Sequence, residues 1–496
     1  MQEIKSTKSI CPECKRVLEA TIFEEGGKVY IKKECPEHGL FQDLYWSDYE
    51  LYTRAKDFEY IGNRMLNPRT EVKNLCPYDC GICPEHRSHT ALAIIDITNR
   101  CNLRCPVCFA TAGTTGYVYE PSKEEIRGML INLRRNEPVP ATALQFSGGE
   151  PTIRKDLFDL VRMAKDLGFR HVEVNTNGLR LAQSVDYCRG LKEAGVSTVY
   201  LQFDGVTPDV YEFTRGVNLI GVKEKVIENC REAGMDSIVL VVTLVKGVND
   251  KQVGDIIGFA IKNFDVVRCV NVQPVSICGR IPEGERERMR ITISDFMRLV
   301  EEQTEGKVKA SDFYPVPTVV PISRAVGALK NKRYVEFTAH PHCGMATYVL
   351  IEDDKMVPIT SYGNIEGFVK AMDKVYEEAE KGHGKRSKMR LIGSLRHIKF
   401  SMLRKYIWPL LKTGSYSSLG DLHRNMLMIS SMHFMDPYNF DLERVQRCCI
   451  HYAVPDGRII PFCTMNSIHR EGIERELGIP VDEWQKRSKT EISAVA

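Results

Sequence analysis

Apolar runs of strand length alternate with segments of helical spacing from Ala91 to about Glu302. The strand-like runs are Leu92–Thr98, Ala143–Phe146, His171–Asn175, Thr198–Phe203, Ser237–Val245 and Val267–Gln273. After the first run, Ser122 and Glu125 form a capping box, and apolar residues follow at 126, 129, 130 and 133. Six β/α repeats with right-handed crossovers predict an α/β fold, an open partial (β/α)6 TIM-like barrel. The active site of such a barrel lies at the carboxyl ends of its strands.

The N-terminal region pairs a predicted hairpin with two metal-ligand knuckles. Residues 21–33 alternate between apolar and polar and turn at Gly26 and Gly27. The knuckles on either side contribute three thiols and one imidazole, from Cys11, Cys14, Cys35 and His38. Such a set suits tetrahedral zinc or a rubredoxin-like iron. A structural ribbon and an electron entry port both remain open as its role.

The pattern becomes irregular after residue 302, where two hairpins are predicted, over 342–360 and 449–463. We therefore expect four parts. They are a ribbon (1–60), a cluster loop (61–90), the barrel (91–302) and a C-terminal cluster and substrate region (303–496).

Charge and cysteine usage restrict the class of protein. The 496 residues carry a net charge of only +3, which does not favour a nucleic-acid partner. The 17 cysteines fall largely into metal-ligand spacings and no signal-peptide pattern is evident, so we expect a reducing cytoplasmic location. No apolar run reaches the length of a membrane span.

Three cysteines, Cys101, Cys105 and Cys108, follow the first barrel strand at C-x3-C-x2-C spacing. A short loop with three thiolates can hold three corners of a four-iron cluster, whose four irons usually take four cysteines, so one iron stays open. Buried or zinc-binding thiols are the alternative, although zinc sites favour paired C-x2-C knuckles.

This motif resembles the radical S-adenosylmethionine (SAM) superfamily from Ile94 to about Asn271. The resemblance implies that the open iron chelates SAM and that one electron cleaves SAM to a 5′-deoxyadenosyl radical, which abstracts hydrogen. It also implies SAM contacts from strand ends and from one arginine, which could instead be a solvated surface charge. These residues are Gly148, Gly149, Glu150, Asn177, Gln202 and Arg215. Val107 and Gln202 depart from the residues often found at their positions.

A second C-x3-C-x2-C set, Cys76, Cys80 and Cys83, has no strand before it, so we assign it to an auxiliary cluster rather than to a second SAM-cleaving one. Five later cysteines bring the total to eight thiolates, enough for two auxiliary four-iron clusters. They are Cys278, Cys343, Cys448, Cys449 and Cys463, and their region loosely resembles SPASM and twitch domains. With the SAM-binding cluster this gives three 4Fe-4S clusters. Their pairing stays open.

Residues 381–420 contain ten Lys/Arg and no Asp/Glu. Leu391, Leu395, Ile398 and Met402 share one helical face, and Trp408 lies near the end of the segment. A basic amphipathic helix of this kind indicates peripheral contact with an anionic membrane. A helix packed on the barrel with a solvated basic face is the alternative.

The whole-chain layout of ribbon, cluster loop, barrel and basic C-terminal region resembles archaeal tetraether lipid synthases. That resemblance implies a transferase or oxidoreductase that couples terminal methyl carbons of two isoprenoid ether lipid chains. It also implies a low-potential electron donor such as ferredoxin. Methylation or other functionalisation of a pterin-like metabolite, peptide maturation of the SPASM type and simple electron transfer are the alternatives.

Overall fold

The computed structural model describes residues 2–281, 283–352, 355–402 and 426–486. Its strands, β1 to β18 in chain order, are Gln2–Ile10, Val17–Glu25, Lys28–Cys35, Gly39–Trp46, Leu92–Thr98, Tyr117–Val118, Ala143–Gly148, His171–Thr176, Thr198–Gln202, Ile238–Leu244, Val267–Pro274, Tyr314–Pro315, Gly344–Glu352, Lys355–Pro358, Met426–Met432, Ile450–Ala453, Ile459–Pro461 and Ile479–Pro480. Its helices, α1 to α17 in chain order, are Tyr49–Lys56, Lys123–Arg134, Leu157–Asp166, Leu179–Gln183, Val185–Ala194, Pro208–Arg215, Ile220–Glu232, Val253–Lys262, Arg286–Met289, Ile293–Gln303, Val320–Lys330, Ile365–Glu380, Gly384–Ser394, Phe400–Met402, Leu442–Gln446, Phe462–Thr464 and Arg470–Leu477.

The six predicted barrel strands form one parallel run, in the order β5, β7, β8, β9, β10 and β11. The observed bounds differ from the predicted ones by two residues at most. β10 is almost entirely apolar and buried, as expected of a parallel strand that is covered on both faces. The capping box of Ser122 and Glu125 opens α2, whose four predicted apolar positions are buried. The α/β fold class is confirmed.

The C-terminal region adds strands to both edges of this run. β15 pairs parallel with β11 and carries the antiparallel β13, while β16 pairs parallel with β5 and carries β17. Both predicted C-terminal hairpins are therefore present, as β13–β14 and β16–β17. Their attachment to the barrel sheet was not predicted, because it joins segments far apart in sequence.

The ribbon is a separate antiparallel sheet of β1 to β4. The predicted hairpin is β2–β3, and it turns at Gly26 and Gly27, whose φ angles are +61° and +77°. Only glycine adopts two successive positive φ angles at low cost, and this explains the sharp turn.

A buried ion triad joins the ribbon to the rest of the chain. Arg290, in the segment between α9 and α10, donates to Asp436 at 2.6 Å and to the ribbon residue Asp43 at 2.5 Å. All three side chains are at most 8% exposed. Burial raises the pKa of Asp436, but the Arg290 guanidinium outweighs burial and holds the pKa of that carboxyl below its usual value.

The cluster loop has no secondary structure, since residues 57–91 contain neither helix nor strand. This agrees with the prediction that no barrel strand leads into Cys76. Among the residues that the structure describes, no helix combines the length and apolar character needed to cross a membrane.

The predicted basic amphipathic helix is wrong in its continuity, and its apolar face favours the alternative of a packed helix. α13 ends at Ser394, a single 3-10 turn follows, and α14 begins at Phe400. Met402 of the predicted face is 5% exposed and Leu391 packs against a buried group, so this face points inward. Different apolar side chains are exposed, namely Met389, Ile392 and Phe400. The segment from 403 to 420, with Trp408, lies outside the described residues.

Replacing Arg290 with Met should destabilise the protein by about 3–5 kcal/mol, because Asp43 and Asp436 would stay buried without their partner. Urea unfolding followed by circular dichroism measures the loss. Arg298→Met is the matched control, since Arg298 is 52% exposed and pairs with Asp48 at the surface. We expect the control to cost less than about 1 kcal/mol. Equal losses in the two variants would contradict a stabilising triad.

Candidate functional site

A single cavity at the carboxyl ends of the barrel strands brings together the predicted SAM site. All three cysteines of the second motif line it, and so do all six predicted SAM contacts. They arrive from different elements: the loop after β5, the ends of β7, β8 and β9, and the last turn of α6. The roles of these residues remain predictions, but the structure places them in one cavity.

The cysteine loop is held by its own backbone and by its neighbours. The Leu103 amide donates to the Cys101 sulfur at 3.4 Å, and the Val107 amide donates to the Thr214 carbonyl at 3.2 Å. Burial raises the pKa of Cys101 to about 12. Without a metal this thiol therefore stays protonated, and iron has to displace the proton when it binds.

Two glycines let the end of β7 run directly against the cysteine loop. A Cβ on Gly148 would lie 2.1 Å from the Thr98 carbonyl oxygen, and one on Gly149 would lie 2.2 Å from that of Arg100. The Gly149 amide donates to the Thr98 carbonyl at 2.7 Å. The two glycines therefore allow a close approach of the backbone that carries the cysteines, and their contact with SAM stays a prediction.

The Glu150 carboxylate is fixed in one orientation before any ligand binds. It is 1% exposed and accepts from the Thr176 hydroxyl at 2.7 Å and from the Asn177 amide at 2.8 Å. The Thr152 amide and hydroxyl also donate to it. Burial raises the pKa of Glu150, and these hydrogen bonds counteract the rise. A carboxylate fixed in this way at the cavity wall is suited to accept from an ammonium group.

Arg215 is a buried member of the cavity wall and not a solvated surface charge. Its side chain is 11% exposed and forms a bidentate pair with Asp204, at 2.6 and 2.9 Å. Burial raises the pKa of Cys105, and the nearby guanidinium counteracts that rise. Arg215 thus lines the cavity and lies near one of the predicted cluster cysteines.

Lys223 on α7 is a buried amine that we did not predict. It is 1% exposed and donates to the Asn177 carbonyl at 2.6 Å and to Gln202 Oε1 at 2.9 Å. It therefore holds two of the predicted SAM contacts in place. A sequence signal existed, because Lys223 occupies the same helical face as Leu219, Val226 and Cys230.

The four ribbon ligands come together as predicted. Their ligand atoms all lie within 4.8 Å of one another, with 3.9 Å between the sulfurs of Cys14 and Cys35 and 3.7 Å between Cys11 Sγ and His38 Nδ1. Ligands at about 2.3 Å from a tetrahedral zinc would be about 3.8 Å apart. The residues fit a single zinc-sized ion.

The predicted auxiliary cysteines form two neighbouring groups. Cys76 and burial raise the pKa of Cys80, and Cys83 raises it further. Burial raises the pKa of Cys463, and Cys448 and Cys343 raise it further, so these three thiols are close together. Cys449 lies beside Cys448 and Cys343.

Cys278 stands apart from these groups in one respect: it lines the SAM cavity together with Cys108. It follows the end of β11, and the next residues run against the cysteine loop, where the Arg280 amide donates to the Cys108 carbonyl at 3.0 Å. Its role as an auxiliary ligand stays a prediction. The remaining three cysteines, Cys188, Cys230 and Cys269, are buried, as expected of core residues.

Comparison with known proteins gives two family matches. The profile of the radical SAM superfamily matches residues 95–260, and that of the HMPTM N-terminal zinc ribbon domain matches residues 3–47. The 7,8-dihydro-6-hydroxymethylpterin dimethyltransferase of Methanocaldococcus jannaschii is 50% identical over 98% of both chains. The GTP 3′,8-cyclase of Peptoclostridium acidaminophilum is 32% identical over 38% of this chain and 57% of its own. The structure of Streptococcus suis SuiB bound to SAM covers 44% of this chain and 48% of its own, at 18% identity and a TM-score of 0.36.

Gly148→Ala should abolish cluster binding at Cys101, Cys105 and Cys108, because its φ of +126° and the 2.1 Å contact exclude a Cβ. We expect about four fewer irons per chain after anaerobic reconstitution, measured by iron analysis. Gly128→Ala on α2 is the control, since a Cβ there meets nothing within 4 Å. Full iron content in Gly148→Ala would refute this account of the glycine.

Lys223 should make stability depend on pH. Burial lowers the pKa of Lys223 to about 7 from its usual 10.5, so between these values the unfolded chain binds a proton that the folded chain lacks. Its contribution to stability therefore rises with pH across this window, by about 1.4 kcal/mol per pH unit.

Urea unfolding at about pH 7.5 and about pH 9.5 should show this rise for the wild type relative to Lys223→Met. Lys225→Met is the control, because that neighbour is 55% exposed and should keep the wild-type slope. A Lys223→Met slope equal to that of the wild type would show that Lys223 does not titrate in this range.

Proposed function

Because this chain belongs to the radical SAM superfamily and carries an N-terminal zinc ribbon, we propose that it functionalises an unactivated C–H bond of a pterin-like metabolite, by methylation. The similarity to a pterin dimethyltransferase along nearly the whole chain supports this substrate class. The observation that carries the proposal is the polar interior of the cavity, next to the SAM contacts.

Amide and phenol groups provide this polar interior. Gln145, Asn175, Tyr200 and Gln273 line the cavity from β7, β8, β9 and β11, and the Gln273 amide donates to the Tyr200 hydroxyl at 3.1 Å. Amide side chains both donate and accept hydrogen bonds. A pterin presents alternating donors and acceptors along its ring edge, so these groups can recognise it.

The residues around the three cysteines fit an anionic cluster. The Leu103 amide already donates to the Cys101 sulfur, and the Arg215 guanidinium faces Cys105. A four-iron cluster bound there supplies the electron that cleaves SAM. Glu150 would accept from the SAM ammonium group and Arg215 would pair with its carboxylate, while Lys223 keeps Asn177 and Gln202 oriented. A low-potential donor such as ferredoxin would deliver the electron.

The cofactor set in this proposal contains two auxiliary four-iron clusters as well as a ribbon zinc. Cys76, Cys80 and Cys83 would hold one, and Cys343, Cys448 and Cys463 with Cys449 beside them would hold the other. Both groups adjoin the same buried apolar cluster, which keeps water away from them. Near the second group, buried polar atoms lack hydrogen-bond partners among the described residues. This supports the assignment of a cluster to that group.

A second candidate function is the coupling of two isoprenoid ether lipid chains through their terminal methyl carbons. The observation in its favour is the opposite wall of the cavity, which is apolar and includes Met432, Met435 and the stacked rings of Phe434 and Phe462, 3.8 Å apart. A methyl terminus has no polar handle, so only such a wall could position it. The exposed Met389, Ile392 and Phe400 would suit contact with a lipid surface.

One anaerobic assay separates the two functions. The reconstituted enzyme, with dithionite and SAM, is given 6-hydroxymethyl-7,8-dihydropterin or an archaeal ether lipid extract, and the products are read by mass spectrometry. We expect 5′-deoxyadenosine and a pterin of changed mass, which gains methyl groups where further SAM molecules serve as the methyl donor. A lipid that loses two hydrogens for each bond formed would establish the second function and refute the first. No 5′-deoxyadenosine with either substrate would refute both.

Two cavity variants sharpen the result. If a pterin binds the polar interior, Gln273→Leu should lower kcat/KM by about 3- to 10-fold through loss of one neutral hydrogen bond. Phe434→Leu on the opposite wall should then have little effect. A larger loss of kcat/KM in Phe434→Leu than in Gln273→Leu would favour the lipid substrate.

A further inference from the structure

Cys343 and His433 face each other at one end of the β13–β15 ladder. Gly344 pairs with Met432, and the His433 amide donates to the Cys343 carbonyl at 3.0 Å, so Cys343 and His433 are the next opposed pair. Side chains directly opposite in an antiparallel pair lie on the same face, with Cβ atoms about 4.5–5.5 Å apart. The backbone pairing therefore sets His433 opposite Cys343, and the charged neighbours of the His433 ring include Arg444.

His433 is buried without hydrogen bonds. It is 2% exposed, and neither ring nitrogen has a partner among the described residues. Leaving a buried donor unpaired costs about 1–3 kcal/mol, so native structures rarely do it without a reason. A missing acceptor beside Cys343 is the simplest reason.

Arg444 is a second buried donor aimed at the same place. Its Nε donates to the Cys343 sulfur at 3.4 Å and its Nη2 to the His433 carbonyl at 2.8 Å. Its Nη1 has no partner within the described part of the chain, although the residue is 1% exposed. A guanidinium with a free buried donor requires an anionic acceptor nearby.

We propose that His433 and Arg444 donate hydrogen bonds to the sulfurs of an auxiliary four-iron cluster held by Cys343, Cys448 and Cys463, and thereby raise its reduction potential. The inference rests on the auxiliary cluster of the proposed function. Donors to cluster sulfur favour the reduced form, because reduction adds negative charge to the cluster. In this scheme His433 and Arg444 would act on the cluster and not on the substrate.

A redox titration of the full chain, monitored by electron paramagnetic resonance without substrate, tests this role. In His433→Phe we expect one midpoint potential to fall and the others to stay unchanged. At the wild-type midpoint the reduced fraction of that cluster should drop several-fold, where a tenfold lower ratio corresponds to about 59 mV for one electron. His433→Gln keeps a donor and should restore most of the wild-type potential. Arg444→Lys should shift the same midpoint.

Each other result overturns the proposal. Unchanged potentials with full iron content would show that His433 donates nothing to the cluster. A loss of about four irons in His433→Phe would make His433 a ligand or a folding element instead. A wild-type chain with a SAM-binding cluster and no second cluster would remove the acceptor. These readouts are independent of 5′-deoxyadenosine formation, so a failure of the proposed radical chemistry is seen separately.

Discussion

The site depends on the burial of one guanidinium between two carboxylates. Taking Arg290 out of water costs several kcal/mol, and the pairs with Asp43 and Asp436 offset that cost only if both carboxylates are held in place. Asp436 is held by the Ile277 amide at 2.8 Å, just beyond the last barrel strand. The triad thus fixes three parts of the chain relative to each other: the ribbon, the end of the barrel, and the segment that follows β15.

The segment that follows β15 contacts both the cavity and the C-terminal thiols. Its residues Met432, Phe434 and Met435 line the cavity. The Met435 amide also donates to the Cys463 sulfur at 3.2 Å, and the His433 amide donates to the Cys343 carbonyl at 3.0 Å. A short stretch of chain therefore separates the SAM cavity from the second thiol group, and places the two within a few residues of each other.

Local pattern predicted most of the barrel and much of the site. Strand-like runs marked all six strands, and the spacing of Cys101, Cys105 and Cys108 together with Glu150 predicted which strand ends would meet. Sheet extension by β15 and β16 escaped prediction because pairing between distant segments leaves no local signal. His433 and Arg444 escaped for a related reason: a single polar residue just after a strand or within a short helix reveals its burial only after folding. The four-part division of the chain remains our prediction.

The docking of the ribbon has a consequence for the maturation of the protein. Tyr45 of β4 lies under the Arg444 guanidinium, 5.4 Å from its ring centre, and its hydroxyl donates to Asp441 at 2.9 Å. Thr7 of β1 donates to the same carboxylate at 2.7 Å. Ribbons of this kind fold only when their metal binds. The support for Arg444, and with it the lining of the second thiol group, therefore depends on the metal-bound, folded ribbon.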